Sequence, residues 1–518
     1  MKKKWKILTV LAVILIAGIY YYINLPAINI HSSGLWTFLM VVILLILGIY
    51  ALPRVRTADD IKASKPLKIG LGVFLLVVLV YAGGSLLSSP IINAKKYQQL
   101  ITVEDRDFQT DIKEVDFKKI PLLDKDSAML LGNRKMGSMV DMVSQFEVSN
   151  LYTQINYQDK PVRVTPLVYA SPIKWMTNQK NGIPAYIMID MATQDTSLVK
   201  LDKPIKYSES EYFNRNIYRH LRFHYPTYIF DSLSFEIDDE GTPYWICPVK
   251  KYNVGLFGGV TIGRVVICNA QTGEMKDYAI EDCPTWVDRV YSADLLVQLY
   301  DYYGTLKNGY LNSILGQKGC LRTTAGYNYL AIDDDVWVYT GVTSVSGDQS
   351  NVGFVLMNQR TMECRFYSVA GAEEFSAMAS AEGQVQNLGY TATFPLLLNV
   401  SGEPTYFMAL VNIQKYQNVS IGDTVAECKE AYNKLLKENG IAAADEMSGN
   451  ESVTGKITKI VDAVVEGNSH IYLMLDNKPA IYDVNVAELL EIIRYNVNDK
   501  ITLRYLPGET VNTVVALE

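Results

Sequence analysis

The sequence predicts an α+β protein with three N-terminal transmembrane helices, repeated helix-plus-antiparallel-hairpin modules and a small C-terminal β-barrel. Three observations indicate this fold class. Three long apolar runs lie in the first 87 residues, one strand–turn–strand pattern recurs in the middle of the chain, and short apolar strands fill residues 453–518. We therefore divide the chain into an anchor (1–87), a connector with one helix (88–145), a module region (146–440), a linker (441–452) and a barrel (453–518).

The apolar runs, residues 7–23, 35–52 and 69–87, contain no charged residue. Each is about long enough to cross a hydrocarbon core of ~30 Å as a helix, and a helix satisfies its own backbone polar groups in lipid. The first run could also be a cleaved signal peptide. However, no clear small-x-small cleavage site follows it and two more runs do, which favours an uncleaved anchor.

Basic residues around the runs predict the orientation. Four lysines precede the first run and five basic residues lie between Arg54 and Lys68, whereas residues 24–34 contain no Lys or Arg. The positive-inside rule then places the N-terminus and the second loop in the cytoplasm. We expect a three-span protein of the plasma membrane with residues 88–518 outside the cytoplasm.

One hairpin pattern recurs through the module region. A strand ends in Asp or Asn, Thr follows three residues later, and a further strand-like stretch begins. The Asx side chain can cap a nearby backbone N–H and so open a turn. Strands with acidic or polar turns precede each copy, and helices are predicted at 208–224, 293–303 and 373–384, after a first helix that runs from Asp124 to Val143. The turn-forming positions are Asp190 and Thr193, Asn269 and Thr272, and Asn358 and Thr361.

The middle copy, with its aromatic strand and its Asn269-x-x-Thr272-Gly273 hairpin, resembles the PepSY-type module, in which Asp is usual at the first position. The other two copies lack the Gly. The resemblance implies a non-catalytic, membrane-anchored envelope protein, of a kind associated with extracytoplasmic regulation and inhibition of peptidases. The module region as a whole is similar to uncharacterised multi-span membrane proteins of low-GC Gram-positive bacteria.

Composition excludes some classes of function. The net charge is −7, and a nucleic-acid surface would need clustered Lys and Arg. The six cysteines include no CxxC pair, which argues against a zinc site. An exported location permits disulfides, with Cys247 and Cys268 as the first pair to test, but we expect most of the thiols to be buried and free.

The last 66 residues predict a small OB-like barrel after a linker of small and polar residues at 441–452. Strands are expected at 453–464, 470–475, 479–484, 500–505 and 511–516, with a helix at 486–495 between the third and fourth. The barrel lacks basic residues interleaved with aromatics, so we expect a packing or protein-contact module rather than a nucleic-acid binder.

Three clusters could carry chemistry. His220 and His224 lie four residues apart on a predicted helix and could hold a metal, although the HExxH glutamate and a third ligand are missing and a basic helix end explains them as well. Residues 333–335 are three aspartates that could hold a hard cation or form a solvated turn. The stretch Trp286, Asp288, Arg289 and Tyr291 could present a partner-binding surface, or could place its aromatic residues in the core.

These observations predict a non-catalytic binding or scaffold protein of the cell envelope that regulates or assembles envelope proteins. Its expected partners are the membrane and an envelope protein, without nucleic acid and without a cofactor. One alternative is a metal-dependent envelope hydrolase centred on His220 and His224. A second alternative is an accessory subunit of a membrane transport complex.

Overall fold

The computed structural model describes most of the chain, which divides into two compact units, Met1–Asn418 and Val419–Glu518. The predicted linker lies outside the described residues except for residues 451 and 452, which begin the first barrel strand. Cys428 also lies outside them. The described ranges are 2–52, 64–113, 120–121, 123–345, 350–385, 389–400, 403–412, 417–419, 451–465, 468–476, 478–486, 489–507 and 511–517.

Three apolar helices open the first unit: Lys2–Asn24, Ser33–Ala51 and Lys65–Leu87. The second and third are long and apolar enough to cross a membrane, and neither apolar window is buried against the rest of the chain. In the first helix, the apolar part with described side chains is the shorter Val10–Asn24. Two apolar helices of spanning length are therefore present near the N-terminus, and Pro90–Gln98 forms a further helix beyond them.

Three antiparallel sheets follow, and each is preceded by a helix. We call each helix with its sheet a module; the three helices are Lys125–Gly137, Ile217–His224 and Ala293–Thr305. The first sheet contains Phe146–Val148, Thr153–Tyr157, Lys160–Tyr169, Ile183–Asp190 and Thr196–Ile205. The second sheet contains Ser234–Ile237, Pro243–Val254, Gly258–Asn269 and Met275–Ala279. The third sheet contains Val103–Arg106, Leu321–Thr323, Asn328–Ile332, Asp335–Ser344, Gly353–Asn358 and Cys364–Tyr367.

The three sheets share one strand order. In each, a short strand pairs with a long strand, the long strand pairs with the first arm of the hairpin, and that arm pairs with the second. The register is also the same, since Asp190, Asn269 and Asn358 lie opposite Val162, Tyr244 and Trp337 respectively. The third sheet differs because Val103–Arg106 from the connector adds a parallel strand at its edge.

The modules share their hydrophobic cores. One core joins the first and second modules around Tyr186, Phe235 and Trp245, which are at most 2% exposed. A second core joins the second and third modules, with Leu299 and Val355 at its centre. The modules are consequently parts of one packed unit.

The helix predicted over 208–224 is only half present. The helix is Ile217–His224, and the Asn216 side chain caps it by accepting the backbone N–H of Arg219 at 3.3 Å. The preceding Ser-Glu-Ser-Glu stretch is irregular because Glu211 is buried and accepts hydrogen bonds from Tyr169 Oη at 2.7 Å and Trp175 Nε1 at 2.8 Å. These tertiary contacts replace the expected helix cap.

The other helices follow the prediction more closely. Asp124 caps Lys125–Gly137 through the Ser127 N–H at 2.7 Å, and the short Val140–Val143 completes the predicted segment. Glu373 caps Glu374–Gln384. Shorter helical turns are Phe108–Asp111, Pro172–Asn178, Phe213–Arg215, Ile280–Asp282 and Asn312–Gly316. The remaining strands of this unit are Ser350–Asn351, Gly371–Ala372, Thr391–Ala392, Leu396–Val400, Glu403–Phe407 and Leu410–Asn412. The strand Gln417–Val419 includes the boundary between the two units.

The second unit contains a closed five-stranded barrel, which confirms the predicted barrel. Its strands are Glu451–Val465, Asn468–Leu475, Lys478–Asn485, Lys500–Leu506 and Val511–Leu517. Ile457, Leu473 and Tyr482 are buried inside it. The expected helix at 486–495 is instead the single 3₁₀ turn Leu490–Arg494.

Candidate functional site

The three hairpin turns form the same set of hydrogen bonds. In each, the Asx Oδ1 accepts the backbone N–H groups two and three residues later, at 2.8–2.9 Å. Thr193, Thr272 and Thr361 then accept the N–H two residues further on, at 3.2–3.4 Å. Because these side chains are used in closing the turns, they are structural positions and not free ligand groups.

The residue after each Thr adopts a left-handed conformation. The φ angles are +66° at Gln194, +76° at Gly273 and +67° at Met362. Glycine is required in the middle copy, since a Cβ at Gly273 would lie 2.3 Å from Cζ of Tyr207. Packing against Tyr207, rather than turn geometry alone, therefore explains why the Thr-Gly pair occurs in one copy only.

The two candidate metal-binding histidines are adjacent, but their ring nitrogens are partly used within the protein. The ring centroids are 4.5 Å apart. His220 Nε2 donates to the Gly273 carbonyl at 2.8 Å, and His224 Nδ1 donates to the His220 carbonyl at 2.9 Å. Burial lowers the pKa of His220. Within the described residues no group of three His, Cys, Asp or Glu side chains could hold a metal.

The candidate partner-binding stretch does not form a continuous surface. Asp288 is 1% exposed and Tyr291 3% exposed, so both lie inside the unit. Trp286 is half-buried and packs on Tyr244, with the ring centroids 5.0 Å apart. Arg289 remains partly exposed at the edge of a cavity. The burial of Asp288 and Tyr291 agrees with the alternative in which this stretch lies in the core, and contact of these four residues with a partner stays a prediction.

Asp288 belongs to a buried pair of carboxyl groups with Glu236. Glu236 accepts the backbone N–H groups of Asp288 at 2.9 Å and Arg289 at 3.2 Å. Asp288 Oδ2 accepts the Asn156 N–H at 2.7 Å, whereas its Oδ1 has no partner among the described residues. Burial raises the pKa of Glu236 to about 7 and raises the pKa of Asp288 well above its usual range. Burial therefore favours the protonated form of both groups, and the bond between Asp288 and Asn156 links this pair to the first module.

Of the three adjacent aspartates, Asp335 is held by Arg360 in a two-bond ion pair at 2.6 and 2.8 Å. Asp333 and Asp334 have positive φ angles and line a cavity of about 590 Å³. Lys113 lies 3.7 Å from Asp333, and both side chains are largely exposed. Solvent screens such pairs strongly. Asp333 and Asp334 therefore form an acidic surface turn at the edge of this cavity.

The buried side chain of Arg222 joins the anchor to the second module. Arg222 is 9% exposed, and its Nε donates to the Leu25 carbonyl at 2.9 Å. Its Nη1 lies within 3.3 Å of three further carbonyl oxygens, of Tyr225, Pro226 and Tyr228. Leu25 directly follows the first apolar helix. The helix Ile217–His224 is thereby fixed to the end of that apolar helix.

Two more contacts lie at the ends of the apolar helices. His31 Nδ1 bonds the Leu256 carbonyl at 2.7 Å, and the Ser88 hydroxyl accepts the Phe257 N–H at 3.1 Å. Phe257 also packs against Trp36 and Tyr81. The loop after the first helix and the end of the third helix therefore contact the same hairpin of the second module. We call these contacts and those of Arg222 the anchor seat.

A cavity of about 390 Å³ lies between the first and third modules, and Arg163 is part of its lining. Arg163 is on the strand Lys160–Tyr169 and is 4% exposed. Its Nη2 donates to Gln154 Oε1 at 3.2 Å, and it forms no ion pair with any described residue. Burial lowers the pKa of this guanidinium, yet arginine remains charged in proteins. A buried positive charge thus borders the cavity, and Asp124 and Asp126 of the same lining stabilise it electrostatically without forming an ion pair.

Three residues of the cavity lining each carry a buried donor atom without an acceptor among the described residues. They are Arg163 Nε, Gln154 Nε2 and Tyr152 Oη. Burial raises the pKa of Tyr152, which keeps the hydroxyl protonated. Gly132 leaves room for this hydroxyl, since a Cβ there would lie 2.1 Å from it. We call this cavity, with its three donors, the Arg163 cavity.

Sequence reasoning missed this cavity. Arg163 lies in a Pro-Val-Arg-Val stretch, which is typical of a strand with one polar face directed to solvent. The third module covers that face, with Tyr327, Asn328 and Tyr329 on the opposite side of the cavity. Only the packing of modules far apart in sequence shows that the arginine is buried.

Known proteins offer little likeness to this chain. No family model matches it, and no curated protein matches it. Among solved structures, it is similar to a Bombyx mori GH32 beta-fructofuranosidase mutant in complex with sucrose. The two are 10% identical over 74% of this chain and 69% of that chain, with a TM-score of 0.17. A TM-score of this size carries no argument about fold or activity.

Proposed function

We propose that this chain is a membrane-anchored, non-catalytic binding protein of the cell envelope. In this proposal three spans hold it in the plasma membrane with the N-terminus in the cytoplasm. PepSY-like modules bind a ligand or an envelope protein on the outer side, and the protein thereby regulates or assembles its partners.

The anchor seat supports the membrane part of the proposal. The loop that begins at Leu25 and the helix end at Ser88 both contact the second module. This arrangement is compatible with a chain whose first and third spans end on the same side of the bilayer. The positive-inside rule predicts that this side is the exterior, so the modules would be held close to the external face of the plasma membrane.

The Arg163 cavity is the observation that carries the binding function. Each buried donor without an acceptor destabilises a folded protein by about 1–3 kcal/mol, and a buried unpaired charge is more unfavourable still. Three residues of the cavity lining carry such donors, Arg163 Nε, Gln154 Nε2 and Tyr152 Oη, and a ligand that accepts hydrogen bonds from them would satisfy these groups. Folds commonly retain such unfavourable groups at functional sites.

The experiment places a photo-reactive amino acid at Lys125, an exposed residue at the edge of the cavity. Lys276, exposed on an edge strand of the second module, is the matched control. After irradiation of cells that express the full chain, we expect a discrete adduct with the probe at 125 and none with the probe at 276. Identical adduct patterns at the two positions would contradict a binding site in this cavity.

A further inference from the structure

We infer that the Arg163 cavity takes a ligand that carries one carboxylate together with a cationic amino group, such as a free amino acid or the free ends of a short peptide. This inference rests on the proposed function and names its ligand class. Three parts of the cavity support it: the buried donors, the charges at its edge and its aromatic walls.

The buried donors specify an anionic acceptor. Arg163, Gln154 and Tyr152 offer a guanidinium, an amide N–H and a phenol hydroxyl, and all three side chains are at least nine-tenths buried. The planar fork of a guanidinium matches the two oxygens of a carboxylate. Donors of three kinds without a described acceptor fit an oxyanion better than a neutral or cationic group.

The charges at the edge of the cavity select the rest of the ligand. Asp124, Asp126 and Asp294 also line the cavity, and the last two are exposed. Neither forms an ion pair with a described lysine or arginine, and Asp294 accepts only the Tyr327 hydroxyl at 3.2 Å. Lys125 and Arg289 line the same cavity, so its edge carries charges of both signs and can attract a cationic as well as an anionic group of a ligand. A zwitterion with a single carboxylate matches charges of both signs, whereas a dianionic phosphate meets only the cationic ones.

The size and walls of the cavity set the scale of the ligand. Its volume of about 390 Å³ lies at the small end of the range for small-molecule sites, about 300–1,000 Å³. Tyr327 and Tyr329 of the third module supply aromatic surface opposite the first module. Such a space accommodates a compound of one or two amino-acid residues.

The test uses the full chain purified in detergent and measures binding calorimetrically. The probes are an equimolar pool of free dipeptides, the same pool with amidated C-termini, and inorganic phosphate. We expect binding of the free pool, at least tenfold weaker binding of the amidated pool, and weaker binding of phosphate. Equal binding of the free and amidated pools, or tighter binding of phosphate, would overturn the inference.

Two variants show which groups are responsible. R163Q is expected to abolish dipeptide binding while the melting temperature without ligand stays equal or rises, because an unpaired buried charge has been removed. R322Q, which changes an exposed arginine, should alter neither quantity. If R163Q lowers the melting temperature and retains binding, Arg163 is structural and the inference fails.

D126N provides a second measurement that leaves the three donor side chains in place. Removing this exposed carboxylate should weaken binding of the free dipeptides and strengthen binding of phosphate, each several-fold. No change in the ratio of the two affinities would contradict the assigned role of the edge charges. If the probe at Lys125 captures a species in cells but the dipeptide pool does not bind, the ligand class is wrong while the proposed function stands.

Discussion

The anchor seat and the Arg163 cavity each contain a buried arginine, and the two arginines are satisfied very differently. Arg222 lies within hydrogen-bond distance of four backbone carbonyl oxygens. Arg163 donates to a single amide oxygen, and its Nε has no partner among the described residues. Burial lowers the pKa of both guanidinium groups, so removal of the charge from water is unfavourable at both positions.

The difference separates a structural arginine from a candidate ligand-binding one. Carbonyl oxygens compensate the burial of Arg222, and this compensation fixes Leu25 to the second module. Arg163 has one such hydrogen bond, to Gln154, and the nearby charges of Asp124 and Asp126. A side chain that serves the fold is expected to have its donors satisfied, whereas one that serves a ligand retains free donors until the ligand binds. Substitutions can test this contrast.

The largest effect is expected for R222Q. This change removes donors from several buried carbonyl oxygens, and we expect it to lower the free energy of unfolding by about 3 kcal/mol, since each buried acceptor left unpaired is unfavourable. Denaturant unfolding of the full chain in detergent, followed by tryptophan fluorescence, measures the change. R322Q serves as the exposed control, and equal stability of the two variants would contradict the anchor seat.

D288N is expected to stabilise the protein at neutral pH by about 1–2 kcal/mol, because an unpaired buried carboxylate is unfavourable. The substitution can keep the acceptor for the Asn156 N–H and places an amide nitrogen at Oδ1, which has no described partner. Burial raises the folded-state pKa of both Asp288 and Glu236, to about 7 for Glu236. The native state then binds more protons than the unfolded state.

The free energy of unfolding should therefore fall as the pH rises from about 4.5, the ordinary value for Glu236, to about 7. D288N removes one of the two groups and should flatten this fall. Unfolding measured at pH 5 and pH 7.5 gives both slopes. A wild-type protein whose stability rises over this interval would show that the buried pair does not control the pH dependence.

N269A removes a side chain that closes a hairpin turn. We expect it to lower the free energy of unfolding by about 1 kcal/mol, comparable with the loss of a helix N-cap. The Asn269 Oδ1 accepts two backbone N–H groups at 2.9 Å. D190A should have a similar effect because its turn has the same bonds. Thermal unfolding of both variants checks the equivalence, and a difference of several degrees between them would argue against it.

The smallest effect is expected at the left-handed turn positions. Met362 has a φ of +67°, a conformation that is unfavourable for an L side chain by roughly 1 kcal/mol. M362G should stabilise the protein by a few tenths of a kcal/mol, since the greater freedom of glycine in the unfolded chain offsets part of the gain. G273A should do the opposite because its Cβ would meet Tyr207. Melting temperatures that shift in the same direction would contradict this account of the turns.

Local interactions explain the parts of the fold that the sequence predicted well. The turns at Asp190, Asn269 and Asn358, and the cap at Asp124, depend on bonds between residues at most three apart. The barrel strands are identified by alternation of buried and exposed residues. By contrast, the prediction that a helix begins at Ser208 was wrong. Glu211 instead forms hydrogen bonds with Tyr169 and Trp175, some forty residues away.

The candidate site could not be predicted for the same reason. Asp288 and Arg163 have the sequence surroundings of surface residues, and only the packing of distant modules buries them. The histidine pair was predicted from correct helical spacing. Spacing alone did not reveal that His220 forms a hydrogen bond with the carbonyl of Gly273, which lies in a hairpin turn of the second sheet. Chemistry that depends on three modules meeting is not contained in any one stretch of the chain.

The most direct test of the central claim compares R163Q with R222Q in denaturant unfolding at pH 7 without added ligand. If Arg163 is retained for a ligand and Arg222 for the fold, R163Q will be at least as stable as the wild-type chain and R222Q will be clearly less stable. Comparable destabilisation by both substitutions would contradict the distinction, because it would show that Arg163 also serves the fold.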